Sequence, residues 1–156
     1  MNYLKDYRLW LCLVGIVGLG FLSSIFSGNP GDYYYSLQLP PFAPPSWIFG
    51  PMWTLLYIMM GGALYLIINL PSTKMKGKLL ILFTIQFVCN FLWTILFFNL
   101  KNSFIAAIDI SLLLIFLTIL LYQLWVNRRN AVLLMIPYYL WVIFATILNY
   151  SIYFLN

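Results

Sequence analysis

Residues 79–100 read LLILFTIQFVCNFLWTILFFNL, a run without a single charged side chain. As an α-helix rising ~1.5 Å per residue it reaches roughly 33 Å, enough to cross a hydrocarbon core of ~30 Å. Within it Gln86, Asn90, Trp93 and Phe97 recur at spacings of four, three and four. That spacing puts two amides and two aromatic faces on one helical stripe, where each amide costs free energy in lipid unless it is paired or faces a cavity.

Working outward, four more runs of the same character occupy 9–26, 47–68, 104–126 and 131–155. None alternates with the period of two expected of a lipid-facing barrel strand. The composition agrees: among 156 residues, 64% are hydrophobic and 7% charged, with a mean hydropathy of +0.96. A soluble domain carries roughly 25% charged residues to coat its surface. The expected fold is therefore an all-α integral membrane protein, a single domain over 1–156 built as a five-transmembrane-helix bundle. Short connections make neighbouring spans antiparallel, and one long outer loop covers 28–46. The first run is long for a signal-peptide core and has no small-residue cleavage site before Gly28, so it reads as a retained helix.

Charge sets the orientation. Lys5, Arg8, Lys74, Lys76, Lys78, Arg128 and Arg129 fall on one side of a five-span topology, and Lys101 alone on the other. The positive-inside rule places the N-terminus in the cytoplasm and the C-terminus outside. The net charge of +5 is thus a topology signal, with no continuous basic stripe that would suit nucleic acid. Cys12 and Cys89 read as small buried hydrophobes, their pairing left open. Trp10, Trp47 and Trp125 sit near span ends, as an interfacial aromatic belt requires. Gly15, Gly18, Gly20, Ser23 and Ser24 in the first span, with Gly61, Gly62 and Ala63 in the second, permit close helix packing or a homodimer seam.

The remaining polar positions carry the functional question. Asp109 is the one carboxylate inside a span, and Pro137, Trp141, Ala145 and Asn149 form a second stripe at spacing four. Pro137 also removes a helix hydrogen bond and frees the Leu133 carbonyl. One reading has these groups fix helix register through interhelical hydrogen bonds, the structural role expected of Asp109 and Gln86. The other is a pocket in which Trp53, Tyr57, Trp93, Phe97 and Trp141 supply flat apolar faces and Asn90 and Asn149 supply polar anchors, for a large, flat, mostly apolar ligand. The loop Asp32-Tyr33-Tyr34-Tyr35, followed by Leu39-Pro40-Pro41-Phe42-Ala43-Pro44-Pro45, is stiff and aromatic. It reads as a lid over the bundle or as an interfacial segment. The chain has no His, no Glu, no phosphate-cradling glycine loop, no paired carboxylates and no metal-ligand set. Binding or passage is expected over catalysis.

The order of Tyr33-Tyr34, residues 37–45, Gly50-Pro51-Met52-Trp53-Thr54-Leu55-Leu56-Tyr57, Met60-Gly61, Gln86 with Asn90 and Trp93, Ala107 with Asp109, Pro137-Tyr138 through Trp141, Phe144-Ala145-Thr146 and Leu148-Asn149-Tyr150 resembles the TspO/MBR family. These are the translocator proteins, also called tryptophan-rich sensory proteins or peripheral-type benzodiazepine receptors. The resemblance covers residues 10–153 or thereabouts and implies a five-helix bundle, commonly a homodimer, with a pocket beneath the first outer loop. It implies ligands drawn from porphyrins, haem-related tetrapyrroles, sterols and benzodiazepine-type compounds, with no required cofactor. By position Tyr34, Pro44, Trp53, Asn90, Trp93, Trp141, Ala145 and Asn149 match pocket residues of the family. Trp53 and Trp141 match the tryptophans implicated in light-dependent porphyrin breakdown by bacterial members.

Two departures stand out. Where the family loop reads Lys-Pro-Ser-Trp-x-Pro-Pro, residues 39–45 lack both the lysine and the indole, which weighs against acidic ligands such as porphyrin carboxylates. No basic residue follows Tyr150 and Tyr153, so the sterol motif of animal members is incomplete. Without His, any haem would be held by stacking and edge contacts or by a less common axial ligand. The resemblance implies a receptor or carrier in tetrapyrrole sensing or transport, in a bacterial cytoplasmic membrane or, as the alternative, a mitochondrial outer one. Light- and oxygen-dependent porphyrin degradation, or a regulatory membrane partner protein, are the other two readings.

Overall fold

A computed structural model describes residues 5–28 and 30–156; residues 1–4 and Asn29, which belong to the expected 1–156 domain and 28–46 loop, lie outside the described residues. Among the described residues all regular structure is helical. Five long helices, α1 (Tyr7–Ile25), α3 (Phe49–Ile68), α4 (Lys74–Thr94), α5 (Ser103–Asn127) and α6 (Arg129–Leu155), are long and apolar enough to cross a membrane. This is the five-span integral membrane bundle that the apolar runs predict.

Local chemistry places the helix ends. Asp6 accepts from the Arg8 amide, Thr73 from Lys76 and Asn102 from Ile105, each satisfying an amide that the first helical turn leaves free. The Thr73 cap starts α4 at Lys74, five residues before the apolar run, because a cap and a lysine-bearing first turn lengthen the helix beyond its lipid-facing part. At its far end α4 passes into a π-helical turn, Ile95–Asn99, closed by bonds from Leu100 to Ile95 and from Asn102 to Leu96. Lys101 then turns the chain with a left-handed φ of 52°. The 28–46 loop contains a helix absent from the sequence reading, α2 (Pro30–Ser36), with Pro30 in the first-turn position that tolerates it and Asp32 in the first turn. A 3₁₀ turn, Ser46–Ile48, leads into α3. α6 continues through Pro137 as one helix.

Around the bundle the order is α1, α3, α6, α5, α4, with α4 returning to touch α3 and, least, α1. The surface is apolar, and the amides and the carboxylate of the spans are held inside an otherwise apolar core. Val14, Phe21, Val126, Leu133 and Phe154 are 64–77% exposed, whereas Gln86, Asn90, Asp109 and Asn149 are buried. Trp10, Trp47 and Trp125 lie exposed on the outside. Cys12 and Cys89 are both free.

The small residues divide in two. A Cβ at Gly61 would stand 2.9 Å from the Leu13 Cα and 3.1 Å from the Cys12 carbonyl, and one at Gly20 would collide with the Tyr57 ring. These two glycines seat α1 on α3. Gly15 and Gly18, read as further packing positions, face open space with nothing within 4 Å. They sit on an exposed side of α1, whereas Gly20 is buried. Beyond Gly20, α1 leans toward α4, where Ser23 donates to the Phe91 carbonyl (3.4 Å) and Asn99 to the Phe26 carbonyl (2.7 Å).

Candidate ligand pocket

Among the described residues three buried side-chain to side-chain hydrogen bonds cross the interior, and all of them involve α4. Tyr138 of α6 donates to Gln86, Tyr57 of α3 donates to Asn90, and the Trp93 indole donates to Asn149 of α6, each at 2.9 Å. Asn149 passes its own amide N–H to the Ser103 carbonyl at the head of α5 (3.0 Å). Gln86, Asn90 and Trp93 on α4 thus each join α4 to another helix, whereas no such bond is seen for Asp109, for which the interhelical reading expected one. Asp109 is buried in α5, with its Oδ2 unpartnered, as is the Gln86 Nε2.

Above this ladder lies an aromatic chamber walled by Tyr34, Phe49, Trp53, Trp93, Phe97, Trp141, Ala145, Leu148 and Asn149. Four helices supply the side chains: α2 gives Tyr34, α3 Trp53, α4 Trp93, and α6 Trp141, Ala145 and Asn149. The chamber is closed on itself, with about 10 Å³ free, hardly the room one water needs. Its rings fill it. Trp93 stacks on Phe97 at 5.2 Å, and Phe49 stands edge-on to Trp141 at 6.1 Å. The Nε1 of Trp141, in this wall, is fully buried and has no partner.

The lid sits directly over the chamber. The Tyr34 hydroxyl donates to the Pro44 carbonyl (2.9 Å), and burial pushes its pKa up to about 12. Ser46 donates twice to the Tyr35 hydroxyl, through N (3.2 Å) and Oγ (3.1 Å), and these bonds lower the Tyr35 pKa. Asn156 clamps the loop from the end of α6, accepting from the Gln38 amide (2.9 Å) and donating to the Gln38 carbonyl (3.1 Å). The Lys101 ammonium lies 5.4 Å from the Tyr33 ring centre.

Beside the chamber α1 and α3 diverge around a wedge of about 1020 Å³. Tyr34, Phe49, Trp53, Trp93 and Phe98 are shared between the two spaces, so a single layer of aromatic rings separates them.

Of the residues expected at a pocket, Tyr34, Trp53, Trp93, Phe97, Trp141, Ala145 and Asn149 meet in the chamber. Tyr57 lines the wedge instead, stacked on Trp53 at 5.5 Å. Asn90 sits behind Tyr57 as its acceptor, and Pro44 serves the lid through its carbonyl. Phe49, one helical turn before Trp53, carried the signal that would have found it. Phe98 and the Asn156 clamp carried none.

These features define a polytopic helical membrane protein with an aromatic chamber under one capped end. The chain belongs to the TspO/MBR family, whose sequence pattern it matches over residues 11–155. It is 37% identical over 113 residues to the tryptophan-rich protein TspO of Chlorobaculum tepidum, covering 71% of this chain and 72% of that one. With the tryptophan-rich protein TspO of Archaeoglobus fulgidus it shares 36% identity over 114 residues, 70% of each chain. The translocator protein of Bos taurus is 34% identical over 110 residues, 66% of this chain and 65% of its own.

Proposed function

We propose that this protein is a membrane receptor or carrier for flat apolar ligands, porphyrins and haem-related tetrapyrroles foremost and benzodiazepine-type compounds besides, acting in tetrapyrrole sensing or transport. One observation carries the reading: Tyr34, Trp53, Trp93, Trp141, Ala145 and Asn149 converge from four helices on one aromatic chamber that holds an unpartnered indole N–H. A planar ligand would part the rings of that chamber, stack on Trp53, Trp93 and Trp141, and offer an acceptor to the Trp141 Nε1. Its edge would extend into the wedge. The lid residues Tyr34 and Pro44 would gate it, and Asn90 would hold the wall through Tyr57.

In this reading the end bearing Lys74, Lys76, Lys78, Arg128 and Arg129 faces the cytoplasm of a bacterial cell, and the protein pairs as a homodimer. The test is titration of the purified protein with protoporphyrin in the dark, followed by tryptophan quenching. Saturable quenching is expected, weakened by joint Trp53→Phe and Trp141→Phe replacement; unchanged affinity in the double variant would overturn the site. Illumination of the same sample adds a second readout. A new absorbing product would extend the function to photo-oxidative porphyrin breakdown.

A further inference from the structure

Asp109 is the one carboxylate of the spans, and nothing in the bundle neutralises it. The residue is 8% exposed, and its buried Oδ2 meets no donor. The eight Lys and Arg sit in the outer turns of the helices or between them; the nearest along the chain, Lys101, lies against the Tyr33 ring. α4, the π-helical turn and α6 all pack on α5. On α4 the titratable group close enough to feel a charge on Asp109 is Cys89, and on α6 it is Tyr138. Tyr150 of α6 is bonded to Ser111, two residues on, and the turn Ile95–Asn99 carries no titratable side chain. Thiols and phenols have no positively charged form to offer.

A lone carboxylate so placed avoids a bare charge in hydrocarbon by taking up either a cation or a proton. The donor set decides between them. A metal ion needs several oxygens, and among the described residues no group of three acidic or cysteine ligands forms. On the facing α4 the Gln86 and Asn90 amide oxygens already accept from Tyr138 and Tyr57, and the Ser111 hydroxyl is spent on the Ala107 carbonyl. The polar atom left over on α4 is the Gln86 Nε2, an N–H donor that repels a cation. A proton needs no such shell. Water can deliver it, because Asp109 lies six residues, or roughly 9 Å, into α5 from Ser103.

We propose that Asp109 is a proton-binding site within the membrane, its carboxyl held as the neutral acid at neutral pH and its proton exchangeable with water. In that form the side chain is an O–H donor as well as an acceptor, and no ion remains in the core of the bundle. Asp109 lines neither the chamber nor the wedge, so the site does not rest on what the pocket binds.

The test is infrared spectroscopy of the full chain in vesicles of ether-linked phosphatidylcholine, whose lipids have no ester carbonyl to mask a protonated carboxyl. At neutral pH the wild type should show the carbonyl band of one protonated carboxyl, shifted by heavy water and by isotope-labelled aspartate, and lost in Asp109→Asn. Absence of that band, its persistence in Asp109→Asn, or its indifference to heavy water would overturn the proposal. Should Asp109→Asn fail to fold, joint Asp6→Asn and Asp32→Asn replacement leaves Asp109 as the one aspartate of the chain. That variant should keep the whole of the isotope-sensitive band; its loss would refute the site.

Discussion

Replacing Gly20 by Ala should destabilise the bundle although alanine is the better helix former. A Cβ at this position overlaps the Tyr57 ring. That ring borders the wedge, but moving it breaks its contacts with α4 and Trp53. Its hydroxyl is bonded to Asn90 at 2.9 Å, one face stacks on Trp53 at 5.5 Å, and its edge meets Phe87 at 6.2 Å. Overpacking of this kind costs about 1–3 kcal/mol. Losing the Tyr57–Asn90 bond adds about 0.6–1.7 kcal/mol, the range of interhelical hydrogen bonds in membranes. The gain in helix propensity, about 1 kcal/mol, offsets only part of this. The net is a loss of roughly 1–4 kcal/mol. Gly18→Ala supplies the control, since its Cβ meets nothing and only the propensity gain remains. Equilibrium unfolding by SDS from mixed micelles, read by far-ultraviolet circular dichroism, measures both. Equal shifts in the two variants would refute the reasoning. So would a Gly20→Ala cost that persists in a Tyr57→Ala background, where the obstructing ring is gone.

Three further outcomes are expected. Asn149→Leu strands the Trp93 indole N–H and removes the bond to the Ser103 carbonyl, and should lower stability by about 1–3 kcal/mol in the same SDS assay; an unchanged midpoint would show that neither bond matters. Trp141→Phe removes the unpartnered donor, so it should weaken a ligand that presents an acceptor about tenfold while leaving an acceptor-free analogue of similar shape nearly unaffected, and equal losses in a binding titration would count against the donor role. Because burial raises the Tyr34 pKa from 10 to about 12, the folded state favours its protonated form. The lid bond to Pro44 is therefore fully present below about pH 10 and lost as pH rises through about 12. Tyr34→Phe should speed Ala43 amide exchange at neutral pH and abolish the alkaline transition, whereas lid release in the wild type near neutrality would contradict the assignment.

The spans were legible because lipid demands unbroken apolar length, and the α4 stripe because amides in such a run are rare and their spacing fixes a face. Convergence of Trp93, Trp141 and Asn149 on one site did not follow from those spacings, which fix a face on each helix but not which faces meet; it was implied by the family resemblance. What stayed hidden depends on packing across the molecule. Gly18 and Gly20 look alike in sequence, and only the side of α1 that packs on Tyr57 makes one tight and leaves the other open. The π-helical turn at Ile95–Asn99 has no residue signature among its apolar neighbours. α2 begins Pro-Gly-Asp, which reads as a turn, and becomes helical over the bundle, where Tyr34 is buried against Phe49. That the chamber is closed while the wedge stands open could not be read from either wall alone.

The three hydrogen bonds that end on α4 also impose an order on biosynthesis. α4 leaves the ribosome with Gln86, Asn90 and Trp93 already in its sequence, and at that moment only Tyr57 of α3 exists to meet one of them. The partners of the other two, Tyr138 and Asn149, are made last, on α6. Until then these groups must be sheltered by the insertion machinery, by water or by temporary contacts. The bundle can close only when its final helix arrives, so a chain interrupted before α6 would present the quality-control machinery of the membrane with a glutamine and an indole in search of partners.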